Sequence, residues 1–167
     1  EIPKDYAPTA SLEPHDEAVN VYRTEVAIVG AGPAALAARE VLSAHDVPSI
    51  IIDSQSQIGG QFLMQTHQFF FFEKERRFGG MRGYEIAQSL AGDDLAGIFL
   101  DSTVWDVLEG QRLAVKNAKT QEIFYVDARY LIIATGAVPF VPTFRNDDVP
   151  GVYSAAVIQK MMNTERC

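Results

Sequence analysis

The segment Gly30-Ala31-Gly32-Pro33-Ala34-Ala35 has the residue types and spacing for phosphate recognition. It fits the pattern Gly-x-Gly-x-x-Gly/Ala, in which each position has a physical task. Gly30 permits a tight turn from strand to helix. Gly32 lacks a Cβ, so its backbone can come close to a pyrophosphate. Ala35 keeps the following helix near the sheet. A helix that begins at Pro33 offers the phosphates its free N–H groups, that of Ala34 among them, and the positive end of its dipole. Asp53 lies eighteen positions beyond Ala35 and ends an apolar run. There its carboxylate can accept both hydroxyls of an adenosine ribose and would repel a 2′-phosphate.

Elements of a definite kind must hold these residues. Val26 to Val29 is a short apolar run ending at Gly30, as expected of a strand buried on both faces of a parallel sheet. Pro33 to Ala44 reads as a helix, with proline in the first turn and alanines behind it. Ser49 to Asp53 is a second buried strand, and the three together make a βαβ crossover. Glycines that serve turning alone are the bland alternative. The strand before the motif, the helix after it and the acid that ends the next strand argue against it.

Beyond Asp53 the pattern is less regular. Gln55 to Gly80 is an irregular stretch holding Gly59-Gly60-Gln61 and the run Phe69 to Phe72. Gly83 to Ala91 reads as a helix and Gly97 to Asp101 as a third parallel strand. Thr103 to Leu108, Arg112 to Lys116 and Glu122 to Val126 have strand composition and hairpin-length links, which predicts an antiparallel meander. Tyr130 to Ala134 is a further buried parallel strand, closed by Thr135-Gly136. A proline-bearing connection and a helix from Ser154 to Asn163 complete the chain. The expected fold is therefore α/β: a three-layer Rossmann-like parallel sheet with an antiparallel β-meander insertion.

Composition narrows the function. The chain has 167 residues, of which 47% are hydrophobic, enough for one ordinary domain with a core. A net charge of -8 argues against nucleic acid or an anionic membrane as partner, and leaves a small-molecule substrate as the expectation. Lys74, Arg76, Arg77 and Arg82 form one basic cluster, read as a solvated loop, with a phosphate or acidic partner as the alternative. The single cysteine, Cys167, cannot form an internal disulfide, and no metal-ligand spacing stands out. No apolar run approaches a membrane span and no signal peptide is apparent, so a cytoplasmic location is expected. The sequence starts at Glu1 rather than Met, consistent with processing, trimming or excision from a longer chain.

The fingerprint alone does not distinguish FAD from NAD, but three features favour FAD. Gly60 and Gln61 follow the acid at a distance suited to an extended cofactor. The meander interrupts a plain alternation of strands and helices. Ala134-Thr135-Gly136 ends a buried strand in residues small enough to let a large cofactor pass.

Through Val26 to Ala35, Ile51 to Asp53, Ile58 to Gln61, Ile132 to Pro139 and Val149-Pro150-Gly151-Val152-Tyr153-Ser154, the sequence resembles the two-dinucleotide-domain flavoproteins. These are the pyridine-nucleotide–disulfide oxidoreductase superfamily with its thioredoxin-reductase-like branches. It is most similar to FAD subunits of amine-, amino-acid- and sarcosine-oxidizing complexes and to cyanide-forming glycine dehydrogenases. The resemblance runs from Thr24 to Asn163 and specifies a superfamily better than a substrate. It implies that Gly30, Gly32 and the helix from Pro33 hold the pyrophosphate. Asp53, where many relatives carry Glu, would hold the ribose. Gly60 and Gln61 would lie near the ribityl chain or flavin, Val104 would flank the adenine, and Thr135 and Gly136 would pass beside the cofactor.

The same resemblance makes the fold incomplete relative to the family. Relatives continue into a second domain for NAD(P)H and return with a Gly-Asp segment, so NAD(P) is expected only with that domain. The expected division is an extended arm over residues 1–22, an FAD-binding domain over 23–150, and the start of the second domain or a C-terminal helix over 151–167. Another chain or the remaining domain would complete the site. The expected activity is flavin-dependent oxidation, in the style of amine or amino-acid oxidation with a partner subunit. An NAD module without flavin and a non-catalytic, cofactor-binding scaffold subunit are the alternatives. No catalytic acid or base can be named. His67 and Trp105 read as structural, Cys167 as a bystander, and Phe69 to Phe72 as an interface, core or flavin wall.

Overall fold

Apolar runs too short for helices, alternating with helical segments, build a mixed sheet. The computed structural model describes residues 19–70, 78–138, 140 and 142–165. Its strands are β1 (Asn20–Val29), β2 (Ser49–Ile52), β3 (Ile98–Phe99), β4 (Ser102–Leu108), β5 (Arg112–Asn117) and β6 (Ile123–Ile133). Its helices are α1 (Pro33–Ala44), α2 (Gly83–Ala91) and α3 (Ala155–Lys160), with a 3₁₀ helix at Gly60–Met64 and a π-helical turn at Met161–Glu165. The six strands lie in the order β3-β2-β1-β6-β5-β4. β1 runs parallel to both β2 and β6, and β2 parallel to β3, while β4, β5 and β6 form the antiparallel meander.

Strand alternation divides the apolar residues between two cores. Val26, Ile28 and Ile51 face the helices and pack with Ala35 and Leu36 of α1 and Ile86 and Ala87 of α2. Ala27, Ile50 and Ile52 face the other way, against Leu113, Val115, Phe124 and Val126 of the meander. The meander thus covers the second face of the parallel strands and supplies the third layer. Tyr22, Phe99 and Phe124 close that layer, with ring centroids 4.8–5.4 Å apart. Burial of each large aliphatic side chain is worth about 1.5–3 kcal/mol relative to exposure.

Several boundaries differ from those read in the sequence. Glu122 to Val126 and Tyr130 to Ala134 are not separate strands: β6 runs unbroken from Ile123 to Ile133. The charged residues between them look like a break but are cross-strand partners. Arg112 on β5 donates to both Asp127 carboxylate oxygens at 2.6 and 2.8 Å. Arg129 lies 3.8 Å from Glu25 on the other side. β1 begins at Asn20 because β6 is long enough to pair with its early residues. β3 has only two residues, and α3 ends at Lys160 before the π turn. Residues 1–18, Phe71, Phe72, Lys74, Arg76, Arg77 and Cys167 lie outside the described residues.

Helix α1 is tied to the α2–β3 connection by Arg39, which is 8% exposed and donates to the carbonyls of Asp94 and Ala96. Helix α2 begins at Gly83 because the 3₁₀ helix crosses it at backbone distance. A Cβ on Gly83 would stand 2.1 Å from the Phe62 carbonyl oxygen. Gly83→Ala is therefore expected to destabilise the fold by about 2–3 kcal/mol in urea unfolding; an unchanged midpoint would show that the crossing opens freely.

The Arg112–Asp127 pair also makes stability depend on pH. Hydrogen bonds from Arg112, outweighing partial burial, hold the Asp127 carboxyl below the usual carboxylate range. A carboxyl whose folded pKa is depressed contributes stability above its unfolded pKa and loses it as pH falls through the folded one. Asp127→Asn should lower the thermal midpoint at pH 7 and converge with the parent protein below the carboxylate range. A constant gap across that range would contradict the assignment.

Candidate functional site

The glycines of the β1–α1 turn are there for two different reasons. Gly30 has φ +106°, and a Cβ on it would stand 2.3 Å from the Ala134 carbonyl oxygen. Its N–H donates to Ile52 (2.8 Å), while the Ala134 N–H donates to Val29 (2.8 Å). Gly30 is thus demanded by the chain itself, which closes the ends of β1, β2 and β6 around it. Gly32 has φ −79°, and a Cβ on it would meet nothing within 4 Å. Nothing in the described chain requires a glycine at that position, which borders an open cleft.

Helix α1 starts beside Gly32 with Pro33 in its first turn, no side-chain cap and no acidic residue in that turn. Among the described residues no side chain caps its first-turn N–H groups, so this positive helix end has the character of an anion site. Asp53, beyond the end of β2, accepts the Ala31 N–H through one carboxylate oxygen and the Gln55 N–H (2.7 Å) through the other. The carboxylate thereby fastens the glycine turn to β2. Each oxygen keeps a second lone pair, enough to accept one hydroxyl apiece.

The Gly59 N–H donates to the Ala31 carbonyl (2.8 Å), which draws the 3₁₀ helix across the turn. A Cβ on Gly60 would stand 3.0 Å from Gly32 Cα. The Gln61 side-chain amide donates to the Ala137 carbonyl (3.3 Å), joining the 3₁₀ helix to the segment after β6. Gly136 has φ +76° with open space about it.

All eleven positions singled out from the sequence line one cleft of about 600 Å³: Gly30, Gly32, Pro33, Ala34, Asp53, Gly60, Gln61, Val104, Ala134, Thr135 and Gly136. Sequence reasoning did not reach Leu63, Met64, Lys160 and Thr164, which line it too. The last two arrive because the C-terminal segment docks on the 3₁₀ helix. Asn163 donates to the Met64 carbonyl (2.8 Å) and Gln159 to the Gln65 side chain (3.4 Å). These contacts span more than ninety positions and leave no local signal.

Other candidates fall outside the cleft. His67 is exposed, packs at a tilt on Phe69 with ring centroids 4.9 Å apart, and is not among the cleft-lining residues. Phe70 is exposed, whereas Phe69 packs on Phe62. Trp105 on β4 is 59% exposed, so the packing role expected for it is only partly met among the described residues. A second depression beside the β4–β5 turn has Arg112 and Asp127 as partners of each other. Among the described residues no group of three or more His, Cys, Asp or Glu could hold a metal, and no helix is long and apolar enough to cross a membrane.

A family model described as pyridine nucleotide-disulphide oxidoreductase matches residues 24–166. No curated protein matches the chain. Among solved structures, L-proline dehydrogenase from P. horikoshii superposes with a TM-score of 0.69 at 23% identity, over 89% of this chain and 30% of that one. The rebeccamycin biosynthetic enzyme RebC with reduced flavin gives a TM-score of 0.54 at 14% identity, over 70% of this chain and 33% of that one. An oxidized steroid monooxygenase bound to NADP gives 0.52 at 22% identity, over 75% and 29%. The chain thus spans a third or less of the length of each, and at these identities the likeness shows a shared fold.

The Asp53 contacts predict a stability effect separate from any ligand. Asp53→Ala leaves two backbone N–H groups without their acceptor and should cost about 1–3 kcal/mol without added nucleotide. Asp53→Asn, which keeps one acceptor oxygen, should cost less. Equal stability of all three proteins in denaturant titrations would show that the carboxylate does not hold the turn.

Proposed function

Because the chain belongs to the pyridine nucleotide-disulphide oxidoreductase family, we propose that its cleft holds FAD and that the protein is the FAD-binding part of a flavin-dependent oxidoreductase. The observation that carries this reading is Gly32. Its missing Cβ opens onto the cleft beside an uncapped helix N-terminus, with an acid poised for a ribose behind it. A dinucleotide pyrophosphate fits that combination of close backbone approach and positive dipole.

The chain's residues divide the work by position. Gly30 and Gly32 admit the pyrophosphate to the first turn of α1, where Pro33 sets the helical start and Ala34 presents an N–H. Asp53 accepts the adenosine ribose hydroxyls, and Val104 on β4 flanks the adenine. Gly60 passes the middle of the cofactor. Gln61, Ala134, Thr135 and Gly136 border the part that leads to the flavin, and Gln61 is held in place by Ala137. When bound, FAD supplies hydride acceptance and release at N5, while the protein fixes its position and electronics.

Amine or amino-acid oxidation is the preferred substrate class, in keeping with the name of the proline dehydrogenase neighbour. The rest of the active site, with any NAD(P) site, comes from a further domain or a partner chain. Two facts support that view: the chain's small share of its structural neighbours, and the exposure of Val138 on the cleft lining and of the nearby Phe140 in the same segment.

The test separates Gly32 from Gly30. Gly32→Val should keep the cofactor-free thermal midpoint and weaken FAD binding by at least about a hundredfold, since a side chain would occupy the pyrophosphate's place. Gly30→Ala should lose stability itself, through the clash with Ala134 and the positive φ. Undiminished FAD binding by Gly32→Val would overturn the cleft assignment.

A further inference from the structure

Two charged side chains line the cleft among the described residues, Asp53 and Lys160. The contacts of their neighbours set them toward different ends. Asp53 sits where β2 and β4 meet, with its backbone carbonyl accepting the Ser102 N–H at 2.8 Å. The cleft then passes Gly32 and Gly60, so close that a Cβ on Gly60 would stand 3.0 Å from Gly32 Cα, and follows the 3₁₀ helix from Gly60 to Met64. That helix rises about 2 Å per residue, so Met64 lies roughly 8 Å beyond Gly60. The segment bearing Lys160 is fastened at this far end, through Asn163 to Met64 and Gln159 to Gln65. If the ribose is at Asp53 and the pyrophosphate at Gly32, the far end holds the flavin ring. The inference rests on that FAD reading.

We propose that Lys160 is a positioning residue which places positive charge at the ring end of the cleft and so favours the reduced flavin, with Glu165 as its counterweight. A ring that takes up two electrons and one proton gains one negative charge, and a fixed cation nearby lowers the cost of holding it. No anionic side chain lines that end among the described residues. Glu165 approaches Lys160 to 3.4 Å, and the two side chains are 49% and 57% exposed. Such a partly exposed pair is weak and screened by solvent, so Glu165 offsets the charge of Lys160 in part and does not cancel it.

The experiment is a potentiometric titration of the full chain loaded with FAD, against a reference dye, with ADP affinity measured alongside. Lys160→Met should reduce the ratio of reduced to oxidised flavin at a given potential by about tenfold, a shift of about 30 mV to the negative for a two-electron couple. Lys160→Arg should stay near the parent value, and Glu165→Gln should move the potential the opposite way. ADP affinity should change in none of them, because ADP occupies only the Asp53 and Gly32 portions of the cleft. A parent-like potential in FAD-loaded Lys160→Met would overturn the proposal. So would a loss of ADP affinity in step with FAD affinity, which would put Lys160 at the pyrophosphate. A parent protein that takes up no FAD would remove the cofactor reading and this inference together, whereas normal FAD uptake with unmoved potentials removes this inference alone.

Discussion

At the end of β1 three segments meet at backbone distance, and the rest of the site follows from that closeness. Gly30 donates to Ile52 and lies against the Ala134 carbonyl, in a space that would not admit a Cβ. The ends of β1, β2 and β6 therefore converge on one point, and the turn into α1 leaves them in a single permitted direction. Asp53 locks that direction by accepting the Ala31 N–H, and the Gly59 N–H locks it from the other side through the Ala31 carbonyl. A turn held from both sides is pre-organised, so a bound phosphate would not have to pay for ordering it. This arrangement also explains why neighbouring glycines differ in meaning: one is filled by the protein, the other faces open space.

Charge is distributed along the cleft with similar economy. The protein is strongly acidic overall, yet the first turn of α1 carries no acid and the anion-facing dipole is unopposed. Among the described residues the cleft is lined by one acid, Asp53, at the position proposed for the ribose, and by one cation, Lys160. Family membership gives the setting of an oxidoreductase. On the proposed reading the cofactor supplies the chemistry, and the described part of the cleft supplies backbone groups and small residues that position it.

Much of this was legible in the sequence because the constraints are local. The βαβ unit shows as two short apolar runs around a helix, and the helix bounds at Pro33, Ala44, Gly83 and Ala91 follow from proline, glycine and alanine preferences. The cleft's near end was equally readable, since its glycines and Asp53 lie within one crossover. Three features were not. The unity of β6 was hidden by Asp127 and Arg129, whose charges read as a break until their partners on β5 and β1 are seen. Lys160 was hidden by distance: its place depends on Gln159 and Asn163 reaching the 3₁₀ helix, and nothing near residue 160 in sequence signals a cleft. Gly83, needed for the crossing with Phe62, likewise looked like an ordinary helix start.

FAD in this cleft would be visible in the absorption spectrum of the purified protein, with the released cofactor weighed by mass spectrometry. The expected result is a flavin spectrum and FAD released at about one per chain, as for a single site of this kind. A protein that stays colourless after reconstitution with FAD and binds NAD in its place would contradict it.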